Sequence, residues 1–485
     1  MSGRPFRKRL PAGLKADCAK DFIQFKSRRV RRVYQILRAI PHCPGTHQER
    51  GRSRRPIQNR YGEPGMNSLV QRLQRLVAVA AIFAAALTAT ESFAGEAAEG
   101  AKFDTMPMTI VNNSGYRGKM FVFIYGMDEE LNWYRVINKE GDVAPFPDTS
   151  AHTAYGIKFK NKKKAKIRLP ELISARVYIS YGKKLKFSSP GAEPSPPEGW
   201  SASDKNYKTL FDRFEYDWIP ESSFIDWGIS PSPKLPANST YLIGRLTQVD
   251  MIGIPMLYTV TGVNVNNKPA TIRVGFDKPG AREKILTRMR DAGHPWKGLL
   301  IADGRNGPLR AISPYNGIGA KIFPANQLDS YIDQVWSKYA SSTMTAVLQG
   351  DPVLRFTGKV SGGELAFTSK GPDGFTIPYG KPTTMQVYGK RPSIAYLDLE
   401  NMLKATFMRS TILADGDISA CPDPAVYYKN TPVNMYAKIL HKHAYQHKAY
   451  AFGFDNECDQ ASDSRVFNPT SVTLKIPKFE RKKRR

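Results

Sequence analysis

The pattern of hydrophobic and polar positions predicts strands in the first half of the chain. From residue 106 to about residue 275, short runs of β-branched and aromatic residues alternate with Gly, Asn and Pro, as in MTIVNNSG and KMFVFIYGM. Such runs are typical of strands closed by turns. The proline-rich stretch SSPGAEPSPPEGW interrupts them and predicts a surface loop.

Helical periodicity begins after Asp277. In PGAREKILTRMRDAG, Pro279 near the start and Gly293 just past the end are typical helix boundaries. The segment ANQLDSYIDQVWSKYA repeats apolar residues at intervals of three and four, which predicts one buried helix face. YLDLENMLKATFMRS and TPVNMYAKILHKHA are two further predicted helices. The closing run SVTLKIPKF returns to strand, and we expect it to rejoin the first sheet.

These changes predict a β-rich fold with an α/β insertion. We expect a β lobe, in barrel or sandwich form, at about 103–275 and 445–475, and a mixed α/β lobe at about 276–444. A cleft would lie between the lobes, where ligand sites usually occur. No internal repeat marks separate domains, so we interpret 95–475 as one two-lobed module, followed by a basic tail at 476–485.

The positive charge of the chain is concentrated near its N-terminus. The whole chain has 72 Lys and Arg against 43 Asp and Glu, a net charge of +29. Residues 1–65 are rich in basic clusters, which are typical of nucleic-acid-binding arms. Because an export signal follows, we instead interpret this segment as an over-extended reading frame whose true start is Met66, and we expect no nucleic-acid partner. The remaining excess is compatible with solubility alone or with weak attraction to anionic cell envelopes.

Residues 66–94 have the three parts of a secretory signal peptide. Arg72 and Arg75 precede the uncharged apolar stretch 76–89, and Ser92-Phe93-Ala94 offers a small-x-small cleavage pattern. The apolar stretch is shorter than the ~20 residues that span a bilayer, although an uncleaved anchor is the alternative. We therefore expect a secreted or periplasmic protein without stable membrane insertion.

Cysteine and histidine residues offer candidates for a disulfide and for a metal site. After signal removal only Cys421 and Cys458 remain, and in an exported chain such a pair predicts a disulfide, with two buried thiols as the alternative. His443 and His447 have the spacing of metal ligands on one helix face, but no adjacent Glu completes an HExxH motif. We therefore expect a structural helix end and no metal. No GxSxG, P-loop or dinucleotide motif supports an esterase, NTPase or dehydrogenase.

Two segments place acidic residues among aromatic and apolar ones. In FDRFEYDWIPE, Glu215 and Asp217 have aromatic neighbours, and desolvation by such rings would raise the pKa of Glu215. In LTQVDMIGIPM, Asp250 lies between two apolar runs, with Thr247 and Gln248 as hydrogen-bond partners. One protonated and one ionised carboxyl are the minimum that glycosidic hydrolysis needs. The alternative is a pair of surface or ion-paired acids.

The motif FEYDW followed by TQVDMIGIPM resembles glycoside hydrolase family 64, the thaumatin-like β-1,3-glucanases. The resemblance continues in order through RVGFDKPGAR, FPANQLDSYIDQVW, GKVSGG and HKHAYQHKAYAFGFDNE. It implies a thaumatin-like β-barrel lobe plus an α/β lobe, with an acidic cleft that holds β-1,3-glucan. It also implies hydrolysis with inversion, without a metal or an organic cofactor.

The resemblance assigns the catalytic pair to Glu215, expected as general acid, and Asp250, expected as general base. The chain departs from the family in Asp217 and Ile219, and in a longer stretch at 221–244. Residues expected to contact substrate are Asp217, Trp218, Trp227, Thr247, Gln248 and Asp455.

Asp455 lies at the end of an aromatic strand beside Cys458. We expect it at the cleft wall, held by a disulfide that bridges the lobes, with a solvated turn as the alternative. The expected function is a secreted, monomeric, inverting endo-β-1,3-glucanase acting on glucans such as laminarin or curdlan. The altered residues and the insertion leave a non-catalytic β-glucan-binding or envelope-associated protein as the alternative.

Overall fold

The structure is a computed structural model that describes residues 103–479 except 117, 147–148, 160–162, 190–192, 303–306, 349–354, 370–374, 390–396 and 420. The predictions for 1–65, for the signal at 66–94 and for the tail beyond 479 lie outside the described residues. Within the described part, no helix has both the length and the apolar character needed to cross a membrane.

The strands in the first half of the chain are β1 (Thr105–Asn112), β2 (Met120–Met127), β3 (Trp133–Val136), β4 (Val143–Pro145), β5 (Thr149–Tyr155), β6 (Ile157–Phe159), β7 (Lys164–Pro170), β8 (Ile173–Tyr181), β9 (Leu185–Ser189), β10 (Leu210–Ile219) and β11 (Tyr241–Arg245). Those that follow are β12 (Met251–Ile252), β13 (Leu257–Val263), β14 (Pro269–Gly275), β15 (Leu300–Ala302), β16 (Pro308–Ile312), β17 (Met344–Val347), β18 (Arg355–Ser361), β19 (Glu364–Ser369), β20 (Thr376–Gly380), β21 (Ile418–Ser419) and β22 (Asp463–Ile476).

The α-helices are α1 (Ala281–Asp291), α2 (Pro314–Gly319), α3 (Asp329–Ser341), α4 (Thr384–Tyr388), α5 (Leu397–Met408) and α6 (Met435–His443). Short 3-10 helices cover Glu221–Ser223, Trp296–Leu299, Pro424–Val426, Tyr445–His447 and Glu457–Asp459.

A 12-stranded, nearly closed barrel-like sheet dominates the fold. Its strands run in the order β14-β13-β22-β11-β10-β8-β2-β3-β4, with β1 paired to β22 and β7, and β6 paired to β2. The late strand β22 is antiparallel to β11 and β13 and parallel to β1. The prediction that the closing strand rejoins the first sheet is therefore confirmed.

Alternating side chains give this sheet two apolar faces. On β2, Val122 and Ile124 belong to the core inside the barrel, whereas Phe123 and Tyr125 belong to a second core on the other face. That second core includes buried residues of α1, α3, α5 and α6 and of a 5-stranded sheet, β20-β19-β18-β17-β21. The predicted β-rich fold with a mixed α/β part is confirmed.

A disulfide links Cys421 to Cys458, with 5.2 Å between the two Cα atoms. Both residues are partly buried against the second core. The predicted pairing is thus confirmed, and it ties the segment after α5 to the segment before β22.

Candidate active site

Strand β10 carries charged side chains on one face and aromatic side chains on the other. Because successive residues of a strand point to opposite faces, Arg213, Glu215 and Asp217 share one side of the sheet. The aromatic residues between them are buried inside the barrel: Phe214, Tyr216 and Trp218. Glu215 therefore has aromatic neighbours in sequence that do not surround its carboxyl group.

Arginines on the neighbouring strands flank Glu215. In the strand register, Glu215 is opposite Arg176 of β8 on one side and Arg245 of β11 on the other. Nε of Arg176 lies 3.8 Å from Oε1 of Glu215. Arg245 instead pairs with Asp217, whose Oδ1 also accepts a 2.7 Å hydrogen bond from the main-chain N of Ser174. On this side of the sheet, Arg176, Glu215 and Arg245 thus form a row of alternating charges across three strands.

Asp250 lies immediately before β12 and is held by the segment that starts α2. Its carbonyl oxygen accepts a 2.9 Å hydrogen bond from the main-chain N of Ser313. Nδ2 of Asn316 donates to Oδ1 of Asp250 at 3.1 Å. These contacts orient a carboxyl group whose side chain is only 8% exposed.

One guanidinium joins the two proposed catalytic carboxyls. Nε of Arg213 donates to Oε1 of Glu215 at 2.9 Å, and Nη2 donates to Oδ2 of Asp250 at 2.6 Å. The side chain of Glu215 is 27% exposed and that of Arg213 is 11% exposed. The strand and the loop therefore bring Glu215 and Asp250 to either side of a single cationic group.

This arrangement changes the expected electrostatics of Glu215. Burial on its own would raise the pKa of Glu215, but the charges of Arg213 and Arg176 outweigh burial, and the pKa is lowered. The expectation of a raised pKa is wrong, because the guanidinium groups of Arg213 and Arg176 on the same face of the sheet outweigh the desolvation of Glu215. Burial would lower the pKa of Arg213, yet Glu215 and Asp250 hold it well above its ordinary value.

Thr247 and Gln248 lie in the segment that leads to Asp250, and both are buried. Main-chain contacts join this segment to Tyr450, since the N of Gln248 donates to the Tyr450 carbonyl at 2.8 Å. The Gln248 amide bonds the main chain, with Nε2 donating to the Leu246 carbonyl at 2.8 Å and Oε1 accepting from the Tyr450 N at 3.2 Å. Trp227, in the stretch after β10, is 40% exposed.

Two expected substrate contacts are contradicted by the structure. The ring of Trp218 packs inside the barrel, with Nε1 donating to Oγ1 of Thr240 at 2.9 Å, so it lies on the opposite face from Glu215. Asp455 is 0% exposed and cannot line a cleft wall. Its carboxylate accepts hydrogen bonds from Nε2 of His441 at 2.9 Å and from Nη2 of Arg409 at 3.1 Å.

Sequence reasoning missed the arginines of the site. The expected acidic cleft did not include them, whereas in the structure Glu215 and Asp250 share Arg213, and Asp217 pairs with Arg245. One signal was present: in DRFEYD, alternate positions carry an arginine and two acids. Across the described ranges, no group of three or more His, Cys, Asp or Glu residues could hold a metal ion.

Comparisons with known proteins agree with this fold. Residues 104–476 match the model of glycoside hydrolase family 64, described as β-1,3-glucanase. A glucan endo-1,3-β-glucosidase from Cellulosimicrobium cellulans is 29% identical over 416 residues, which cover 82% of this chain and 70% of that protein. One from Arthrobacter sp. (strain YCWD3) is 28% identical over the same shares of the two chains.

Two solved structures of β-1,3-glucanases share this fold. A laminaripentaose-producing β-1,3-glucanase in complex with laminaritetraose is 27% identical, with a TM-score of 0.66 over 78% of this chain and 99% of that chain. A β-1,3-glucanase domain from Clostridium beijerinckii, 22% identical, shares the fold with a TM-score of 0.61 over 78% of this chain and 100% of that chain. On the family match over residues 104–476, the chain belongs to glycoside hydrolase family 64, the β-1,3-glucanases, and is a glycoside hydrolase.

Proposed function

We propose that this enzyme cleaves internal bonds of β-1,3-glucan, with Glu215 and Asp250 as its two catalytic carboxyl groups. The observation that carries the proposal is that β10 and the loop before β12 bring these two acids to one guanidinium, on the face of the sheet outside the barrel core. Membership of family 64 supports the reaction class, and the relative with bound laminaritetraose supports glucan as the substrate.

We assign Glu215 as the general acid and Asp250 as the general base. Glu215 is the more exposed of the two, at 27% against 8%, so it is better placed to reach a leaving oxygen. Asp250 is oriented by Asn316, which suits a base that must aim at a water molecule. In an inverting enzyme this water lies between the two carboxyls, which stand roughly 6.5–9.5 Å apart.

The charge state of Glu215 adds a pH dependence to this assignment. Because the arginines lower its pKa, Glu215 is an anion at neutral pH in the free enzyme, and a general acid must be protonated to act. We therefore expect kcat/KM to rise as the pH falls from neutral toward the pKa of Glu215.

We also propose three sugar contacts. Trp227 is exposed enough to offer a ring face to a glucose unit, and Thr247 lies three residues before Asp250 in the chain. Asp217 lies on the same face as Glu215, although its carboxylate is paired with Arg245.

The test uses Glu215→Gln and Asp250→Asn on laminarin and curdlan. Each variant should lose at least about 10²-fold in turnover, the typical contribution of general acid or base catalysis. Glu364→Gln, an exposed acid on β19, is the matched control and should retain activity. Near-normal activity of either site variant, with an unchanged melting temperature, would remove that residue from the mechanism. NMR of the first-formed product anomer tests inversion.

A binding protein without turnover is the second candidate function. The observation that favours it is the position of Arg213, which occupies the space between the carboxyls. A curdlan pull-down beside a reducing-sugar assay separates the two functions, since a binding protein retains curdlan but releases no sugar.

We also propose export of the chain through the signal at 66–94. Mass spectrometry of the natural protein should place its N-terminus near Gly95. Peptides from residues 1–60 in that protein would contradict the interpretation of the N-terminal segment.

A further inference from the structure

The contacts of Arg213 point to a role that its neighbours cannot fill. A guanidinium presents N–H groups in a rigid planar fork, and Arg213 uses Nε for Glu215 and Nη2 for Asp250. Arg245 pairs with Asp217, and Arg176 donates from Nη1 to the hydroxyl of Tyr125 at 3.0 Å. Arg213 therefore contacts both carboxyl groups at once.

The main chain around Arg213 is fixed to the segment just after β12, three to four residues beyond Asp250. The buried carboxylate of Asp212 accepts hydrogen bonds from the main-chain N of Arg213 at 2.9 Å and of Gly253 at 2.7 Å. A third bond comes from the N of Ile254 at 3.0 Å. Asp212 thus holds the strand against this segment by main-chain contacts, while Arg213 joins the two carboxyl groups.

We propose that Arg213 is a positioning residue of the hydrolytic pair: its guanidinium fixes the gap between Glu215 and Asp250 and must release Glu215 before that carboxyl can carry a proton to the substrate. This inference rests on the proposed function of the two carboxyls. It assigns to Arg213 no contact with the glucan and no bond-making step.

Other charged and titratable groups around Glu215 also influence its pKa. Among the described residues, those outside β10 are Arg176 on β8, Arg245 on β11, Asp250 before β12 and Tyr450 after α6. Arg176 is cationic and near Glu215 but makes no bond to Asp250 in the contacts described above. It therefore provides a matched control that removes a positive charge without opening the bridge.

The first measurement is a carbon-13 NMR titration of the Glu215 carboxyl, identified by its loss in Glu215→Gln. In Arg213→Met the midpoint should rise by about 1 pH unit or more, since an adjacent arginine lowers a carboxyl pKa by that much. Arg176→Met should raise it less. An unchanged midpoint in Arg213→Met, or an equal rise in both variants, would overturn the proposal.

The second measurement is the pH profile of kcat/KM on laminarin. In Arg213→Met the limb governed by Glu215 should move to higher pH by the same amount, and kcat should fall more than KM rises. A uniform loss at every pH would mean that Arg213 is merely structural. If Arg213→Met does not fold, Arg213→Lys keeps the charge but lacks the rigid planar fork that holds the two carboxyls apart, and the midpoint of Glu215 should still rise. The NMR titration needs no turnover, so failure of the proposed function would appear separately, as a wild-type chain that cleaves no glucan.

Discussion

Replacing Asp455 by Asn is expected to lower the stability of the folded chain and to leave glucan cleavage largely intact. The Asp455 carboxylate is fully buried and accepts hydrogen bonds from His441, Arg409 and the main-chain N of Ala451, the last at 2.9 Å. Asn keeps the shape but not the charge. One carboxylate oxygen of Asp455 accepts two hydrogen bonds, and the amide NH₂ of Asn would face those donors instead. Because Asn is neutral, Arg409 also loses its counter-charge inside the protein.

The size of the effect follows from this burial. Removing one partner of a buried ion pair costs about 3–5 kcal/mol. At about 2 °C per kcal/mol for a large domain, the melting temperature should fall by roughly 6–10 °C.

The loss of stability caused by Asp455→Asn should depend on pH. Burial would raise the pKa of Asp455, but His441 and Arg409 outweigh it and lower the pKa in the folded state. The stabilisation is therefore present above the ordinary Asp pKa of about 3.9 and is lost as the pH falls through the lowered value. The difference between wild type and variant should be largest near neutral pH and shrink in acid.

Thermal unfolding followed by circular dichroism at neutral and acidic pH is the assay, with laminarin cleavage measured in parallel. Asp459→Asn is the matched control, because Asp459 is 79% exposed and its pair with Lys448 is worth at most about 1 kcal/mol. Equal melting temperatures for the two variants would refute the argument. So would a loss of cleavage by Asp455→Asn without a loss of stability, which would return Asp455 to the cleft.

Two further predictions concern stability. Replacing both Cys421 and Cys458 by Ala should lower the free energy of unfolding by about 4 kcal/mol on the chain-entropy model, since the disulfide closes a loop with a sequence separation of 37. Urea unfolding of wild type with and without reductant should give the same difference. An unchanged urea midpoint would contradict the prediction. Burial, reinforced by nearby carboxylates, raises the pKa of Glu171 to about 7, so its favourable contribution is full below the ordinary Glu pKa and is lost as the pH rises through 7. After allowance for solvent screening, Glu171→Gln should therefore be more stable than wild type at pH 8 by on the order of 1 kcal/mol. At pH 4 the variant should no longer be more stable. Urea unfolding at both pH values checks this, and the same difference at both would contradict the prediction.

The sequence was informative wherever one face of an element is buried. Helix α3 buries Tyr331, Ile332, Val335, Trp336 and Tyr339, the stripe that its apolar periodicity predicts. Alternation at a period of two carries the same information for β10, but the expectation that Trp218 lies beside Glu215 overlooked it. Local pattern is sufficient in these cases because the spacing of apolar residues reports directly which face meets the core.

Contacts between distant segments could not be predicted in this way. Arg213 meets Asp250 where Asp212 fixes the segment after β12 against β10, and no local pattern reports that approach. Asp455 follows a run of alternating aromatic residues, which suggested a cleft wall, with a solvated turn as the alternative. It is buried because two cationic groups compensate its charge: Arg409, just after α5, and His441, on α6.

Strand β22 has a consequence for the order of events during synthesis. It pairs with β1, β11 and β13, yet it is the last strand of the described chain to be translated. While the ribosome is still adding residues before Asp463, those three earlier strands have edges with unpaired main-chain groups, which readily attract other chains. Barrel closure therefore has to wait until translation has passed Ile476, and the nascent protein depends on protection from association until its final strand is available.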